Sequence, residues 1–245
     1  MYHGATFLDM RTDGGMKTFE DWHLVPKKRL YIDPPEVKMN MIDIPSGDGY
    51  LDATEAPDGR VHYGMRTASW EFHVQREYRS FYHYLFSSIM NYCHGQNMRI
   101  ILDDDPQYFY IGRISVNQFL SEEIDATIVL DVTAQPYKYE IALSTEEWLW
   151  DPFNFETDYV RGYGGLTVDG ERTLEIPGSK KPIAATFTVT LEDPEKPITL
   201  IYRGAAYRLD QGTYKMTNVV IFYGINTLVF QGHGTVSVEF RGASL

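Results

Sequence analysis

Cysteine is almost absent from this sequence: Cys93 is the only one in 245 residues. One thiol cannot form an internal disulfide or a zinc site built on cysteine pairs. It is read as a reduced core thiol at the end of a helix. Positive charge is scarce as well, with 22 Lys and Arg against 34 Asp and Glu and a formal net charge of −12. A broad electrostatic grip on nucleic acid needs clustered cations, and the only run is Lys27-Lys28-Arg29. Three adjacent cations suit a solvated strand edge, where lysine blunts edge-to-edge pairing. Long apolar runs are missing too. None approaches the length of a membrane span, and no basic segment followed by an apolar stretch opens the chain. Synthesis in a cytoplasm without a signal peptide, and no membrane contact, are therefore expected.

Catalytic patterns are equally thin. The seven histidines form no H-x-x-x-H or H-E-x-x-H pair. The phosphate-loop and nucleophile-elbow signatures do not occur. Asp103-Asp104-Asp105 is the most metal-like feature, but neighbouring side chains on a strand point to opposite faces and cannot share one ion. An exposed acidic turn before Pro106 is the better reading. Gly162-Tyr163-Gly164-Gly165 resembles a flexible joint more than a nucleotide fingerprint, because it does not follow a strand and open a helix. No catalytic, metal or cofactor site is expected, and the chain is not read as an enzyme.

What the chain does have is aromatic residues and alternation. Aromatics make up 14%, including 18 Tyr and 13 Phe, which fit pleated half-buried surfaces and protein interfaces. Val37 to Ile44 begins as an alternating strand, and Pro45 to Gly49 punctuates it with two glycines. Val61 to Gln75 reads as a long strand with Ala68, Trp70, Phe72 and Val74 on one face. From Ser80 to Tyr92 the period changes to that of a helix. Phe81, Tyr84, Leu85, Ser88, Ile89 and Tyr92 form one stripe, and His94-Gly95 supplies the stop. Strands are expected at Met98–Leu102, Tyr108–Val116 and Ile124–Ala134, with Pro136 ending the last.

The rest divides into a junction over 141–170 and a run of short strands after it. Ser144-Thr145-Glu146-Glu147 suits a helix N-terminus. Trp148 and Trp150 are candidates for a sugar-stacking platform, although plugging a domain junction suits them better. Thr186–Leu191, Ile198–Arg203, Gly212–Tyr223, Thr227–Phe230 and Thr235–Arg241 read as an antiparallel β-sandwich. The fold class is mainly β, a β-rich α+β chain. Residues 1–140 form a barrel or sandwich with one packed helix, and 171–245 form a second sandwich.

The run Ile42-Asp-Ile-Pro-Ser-Gly-Asp-Gly-Tyr-Leu-Asp-Ala-Thr-Glu-Ala56, continuing through Gly59-Arg-Val-His-Tyr63 to Arg66, resembles the distal tail protein (Dit) family of long-tailed bacteriophages and prophages. Ordered matches follow at Asn91–Gly95, Leu102–Pro106, Tyr108–Arg113 and Ala134–Tyr139. Ser46 stands where the family often has glycine. The resemblance implies a structural hub and virion protein: a tail-tube-like domain over 1–140 that forms a homohexameric ring, and a galectin-like sandwich over 171–245. Such a ring sits at the virion tail tip and joins the tail tube protein to a baseplate, tail-tip or tail-associated lysin-type protein. DNA passes through it without specific binding. The long acidic loop after Pro45 is then a candidate subunit contact, with Asp48, Leu51, Asp52, Glu55 and Arg66 as interface residues. Two other readings are a carbohydrate-binding module or host-recognition accessory and a tail-associated hydrolase; the missing acid, base and nucleophile motifs disfavour the second.

Overall fold

The structure, a computed structural model, describes residues 3–11, 14–75, 81–121, 126–146 and 162–245. It divides into two compact units, Met1–Lys138 with Leu245 and Tyr139–Ser244.

In the first unit, β1 (Ala5–Asp9), β2 (Gly15–Lys17), β3 (Leu24–Pro26), β6 (Arg66–Val74), β7 (Asn97–Leu102), β8 (Tyr108–Ser121) and β9 (Ala126–Glu140) form one sheet in the order β2-β1-β7-β8-β9-β6-β3. Alternation builds it: in β6, Trp70, Phe72 and Val74 are buried while Thr67, Ser69 and Glu71 are exposed. Trp22 stacks on Phe7 at 5.5 Å between ring centroids, and Trp70 and Tyr92 close the cluster. Edge strand β3 is followed by Lys27, whose Nζ pairs with Glu71. A lysine beside an edge opposes further strand addition.

Helix α1 (Tyr82–Cys93) lies where its period placed it, but turned. Its buried residues are Tyr82, Leu85, Ile89 and Cys93, while Phe81 and Tyr84 face solvent. Several aromatics on both faces give two overlapping stripes, and only packing selects one. The Tyr82 hydroxyl donates to the Thr127 carbonyl, and Tyr92 donates to the Phe7 carbonyl. Beyond the helix, the His94 Nδ1 accepts from the Val116 amide. Strand β9 runs on through Pro136 instead of stopping there. Its ladder with β6 ends at Arg66↔Ala134, so a residue without an N–H takes no bond from that ladder.

The second unit is built from β10 (Leu166–Gly178), β11 (Ile183–Leu191), β12 (Ile198–Tyr202), β13 (Ala205–Leu209), β14 (Gly212–Ile221) and β15 (Gly224–Glu239). Strand β10 begins inside the stretch expected to be a junction, and β13 was not anticipated. The two strands expected at Thr227–Phe230 and Thr235–Arg241 are one, β15. On one edge β15 pairs with β10 along Gly224–Val236. On the other it pairs with β12 over Leu228–Gln231 and with β11 over Gly234–Glu239. The change of partner falls at Gly232 and Gly234, with φ of 137° and 150°. A Cβ on Gly234 would lie 2.4 Å from the Thr190 carbonyl oxygen. These glycines let the sheet turn a corner by close backbone approach, which closes it over a core containing Phe187, Phe230, Val236 and Leu200.

Residues 144–146 form a turn, and the rest of the expected helical segment lies outside the described residues. The buried Ser144 hydroxyl donates to the Val238 carbonyl and accepts from the Phe240 amide. Gly162–Gly165 is not a free joint: Tyr163 is buried, stacks on Phe240 and exchanges backbone bonds with Ser144 and Val238. Trp148 and Trp150 lie outside the described residues.

Candidate assembly site

Between β3 and β6 the first unit carries a two-stranded arm, β4 (Met41–Asp43) and β5 (Tyr50–Asp52), which among the described residues pair only with each other. Its root is a ladder of backbone bonds: Gly64 N to the Glu36 carbonyl, Lys38 N to the His62 carbonyl, and an isolated bridge Val37↔Tyr63. Further out, the Asp52 carboxylate accepts from the Thr54 amide, and the Thr54 hydroxyl accepts from the Asn40 amide. Hydrogen bonds that Asp52 receives from Thr54, from its side chain first and then its backbone, hold the Asp52 carboxyl below the usual range. At the tip, Ser46 and Gly49 take left-handed φ of 61° and 81°, so the position where the resembled family often has glycine does need a glycine-like backbone.

Both strands of the arm are exposed at every residue. Ile42 and Leu51 are register partners on one face, at 48% and 60% exposure. The Met41/Asp52 and Asp43/Tyr50 pairs occupy the other face. Met39 and Ile44 extend the exposed apolar surface. A lone two-stranded hairpin with apolar side chains on both faces has little to hold it in water. Exposed apolar residues gathered this way are the mark of an interaction surface.

Asp48 lies at the arm's tip, and Leu51 and Asp52 lie on β5. Glu55 is exposed at the start of the following turn, where its carbonyl accepts from Gly59 N. That turn is tied by Asp58, which accepts from the Arg60 amide and contacts the His62 ring at 3.0 Å. The His62 bond is the main cause that lowers the Asp58 carboxyl pKa.

Arg66 is placed differently from its expected role at an interface rim. It is 6% exposed, donates from Nε to the Pro136 carbonyl at 2.7 Å and from Nη1 to the Asp33 carbonyl, and lies over the Tyr110 ring. A guanidinium held by carbonyls inside its own unit is an internal anchor at the root of the arm. The apolar surface of Met39, Met41, Ile42 and Tyr50 went unnoticed in sequence, although the alternation from Val37 was its signal.

The acidic turn at 103–105 spreads its carboxylates to separate partners. Asp103 accepts from the Gly4 amide, Asp104 from Arg29, and Asp105 pairs with Lys138. Among the described residues no three His, Cys, Asp or Glu side chains are grouped so as to hold a metal ion.

Neither protein-family models nor curated proteins give a match to this chain. Among solved structures, the chain is similar to SPP1 Dit (gp 19.1), described as a paradigm of the hub adsorption apparatus in Gram-positive-infecting phages. The similarity covers 100% of both chains, with a TM-score of 0.56 and 12% sequence identity. The two proteins share a mainly β fold, that of a phage hub protein.

Proposed function

We propose that this chain is a structural hub of a phage or phage-derived tail tip, acting as a scaffold and not as an enzyme. Six copies close into a ring that joins the tail tube to the baseplate or tip proteins and surrounds the DNA path. The net charge of −12 suits a passage that DNA must not adhere to. A ring requires two different, complementary surfaces on each copy. The observation that carries this reading is the arm of β4 and β5, finished as a hairpin yet exposed on both faces. Likeness to a hub protein over the full chain supports the same role. The arm of one copy lies on its neighbour, with Leu51 and Ile42 buried at the contact and Asp48, Asp52 and Glu55 at its rim. Rim charges set register and encounter rate more than affinity.

Negative-stain microscopy and light scattering of the purified protein test this reading. Rings of about six copies are the expected particle. A strict monomer at every concentration would sink it.

A further inference from the structure

The second unit is charged differently at its two ends. At one end three loops meet: Gly178–Pro182 between β10 and β11, the Arg203-Gly204 turn between β12 and β13, and Phe222-Tyr223 before β15. They hold Lys180, Lys181 and Arg203 and no carboxylate. At the opposite end, turns 192–197 and 210–211 hold Glu192, Asp193, Glu195 and Asp210 against Lys196 alone. In a chain of net charge −12, a loop cluster of three cations is a local reversal of sign.

The cations lie on aromatic rings. Lys180 Nζ is 5.7 Å from the Tyr223 centroid, and Arg203 Cζ is 4.4 Å from that of Phe222. Lys181 Nζ bonds the Tyr139 hydroxyl. Among the described residues neither Lys180 nor Arg203 makes an ion pair. Beside them Tyr223 and Ile225 are 72% and 66% exposed. Arg203 also holds a left-handed φ of 51°, which hairpin turns normally assign to Asn, Asp or Gly. An arginine kept there holds a strained backbone.

One buried side chain ties the Phe222-Tyr223 loop to the strand ends that carry the other two loops. The Asn226 Oδ1 accepts from the Phe222 amide at 3.0 Å and the Tyr202 hydroxyl at 2.7 Å. Its Nδ2 donates to the carbonyls of Phe222, Gly224 and Ile176. Loops tied in this way lose little freedom on binding, so contact energy is not spent on ordering them.

We propose that this end of the second unit is a docking surface for an acidic segment of another protein that also carries apolar side chains. The cations fit carboxylates, and Tyr223 and Ile225 fit the apolar residues between them. The apolar pair sets a protein segment above a bare polyanion, which would use the charge and leave both side chains in water. This inference is independent of ring formation, since the surface belongs to each copy.

The test uses the full chain and a fluorescein-labelled synthetic peptide of alternating glutamate and leucine, titrated by fluorescence polarisation. The comparison ligands are polyglutamate, polyphosphate and a peptide of this chain's residues 40–54. Two double variants are compared with the wild type: Lys180→Ser with Arg203→Gly, and Tyr223→Ser with Ile225→Ser. Glycine suits the backbone at 203, so that variant keeps its melting temperature. Each double variant should weaken the glutamate–leucine peptide about tenfold, and polyglutamate should bind less tightly than the peptide. Unchanged affinity in either double variant overturns the proposal. Equal or tighter binding of polyglutamate or polyphosphate makes this a polyanion site and overturns it as well. Preferred binding of the 40–54 peptide makes the surface a contact between copies, which also overturns it.

Discussion

Ile42 and Leu51 face each other across the arm as register partners, and both stand about half exposed among the described residues. Full burial of such a side chain from full exposure is worth about 1.5–3 kcal/mol, so covering the half still exposed contributes roughly half of that for each. Changing both to serine should leave the melting temperature of the isolated chain unaltered, since neither belongs to its core. Assembly should fall at least about tenfold, as read by light scattering across a dilution series. A lower melting temperature with intact rings would place the pair inside the subunit instead.

Arg66 should behave in the opposite way. Arg66→Met leaves the Pro136 and Asp33 carbonyls without their donor in a buried place. The loss is about 2–4 kcal/mol of unfolding free energy, measurable by urea denaturation. Arg66→Lys should recover only part of it, because an ammonium cannot reproduce the planar fork between two carbonyls.

Cys93 is fully buried with its sulfur on the Ile89 carbonyl, and burial pushes its thiol up to about 12. A thiol reagent should fail to label it in the native protein and label it fully in urea. Between pH 9 and about 12 the folded thiol keeps a proton that the unfolded chain releases. The unfolded state then binds fewer protons, so stability falls as pH rises through that window and is unaffected below it. Tyr82, also raised to about 12 by burial, adds to the fall above pH 10. Urea midpoints should drop more steeply with alkaline pH in the wild type than in Cys93→Ala.

Gly234→Ala tests the corner of the second unit. Its Cβ would meet the Thr190 carbonyl oxygen at 2.4 Å, and φ of 150° already disfavours a side chain. A loss of about 2–4 kcal/mol is expected from strain and displaced pairing between β11 and β15. Calorimetry of the full chain should show it as a lowered transition.

Alternation made the sheet of the first unit legible, and β6 and β7 lie within a few residues of their expected places. It could not tell core from interface: Ile42 and Leu51 alternate with polar neighbours just as Phe72 and Val74 do. Helix α1 was legible by period, yet Phe81 and Tyr84 are as apolar as Tyr82, so the buried face was not. Gly232 and Gly234 carry a turn signal in sequence, whereas the fold uses them to bend a strand that continues. Pro136 was misread for a related reason, since a missing N–H matters only where a ladder needs it. Strand β10 escaped notice because Asp169-Gly170-Glu171-Arg172 interrupts its alternation. Asn226 carried no signal, because its partners come from the ends of β10 and β12 and from the loop before β15, far apart in sequence.

The corner in β15 has a mechanical consequence. Because β15 pairs with β10 on one side and with both β12 and β11 on the other, these strands cannot part by sliding over a greasy seam. Separating them means shearing runs of backbone hydrogen bonds on both sides of β15 together. Load applied to β12 is therefore carried through covalent chain in β15 to β11, and the unit should resist pulling as one body.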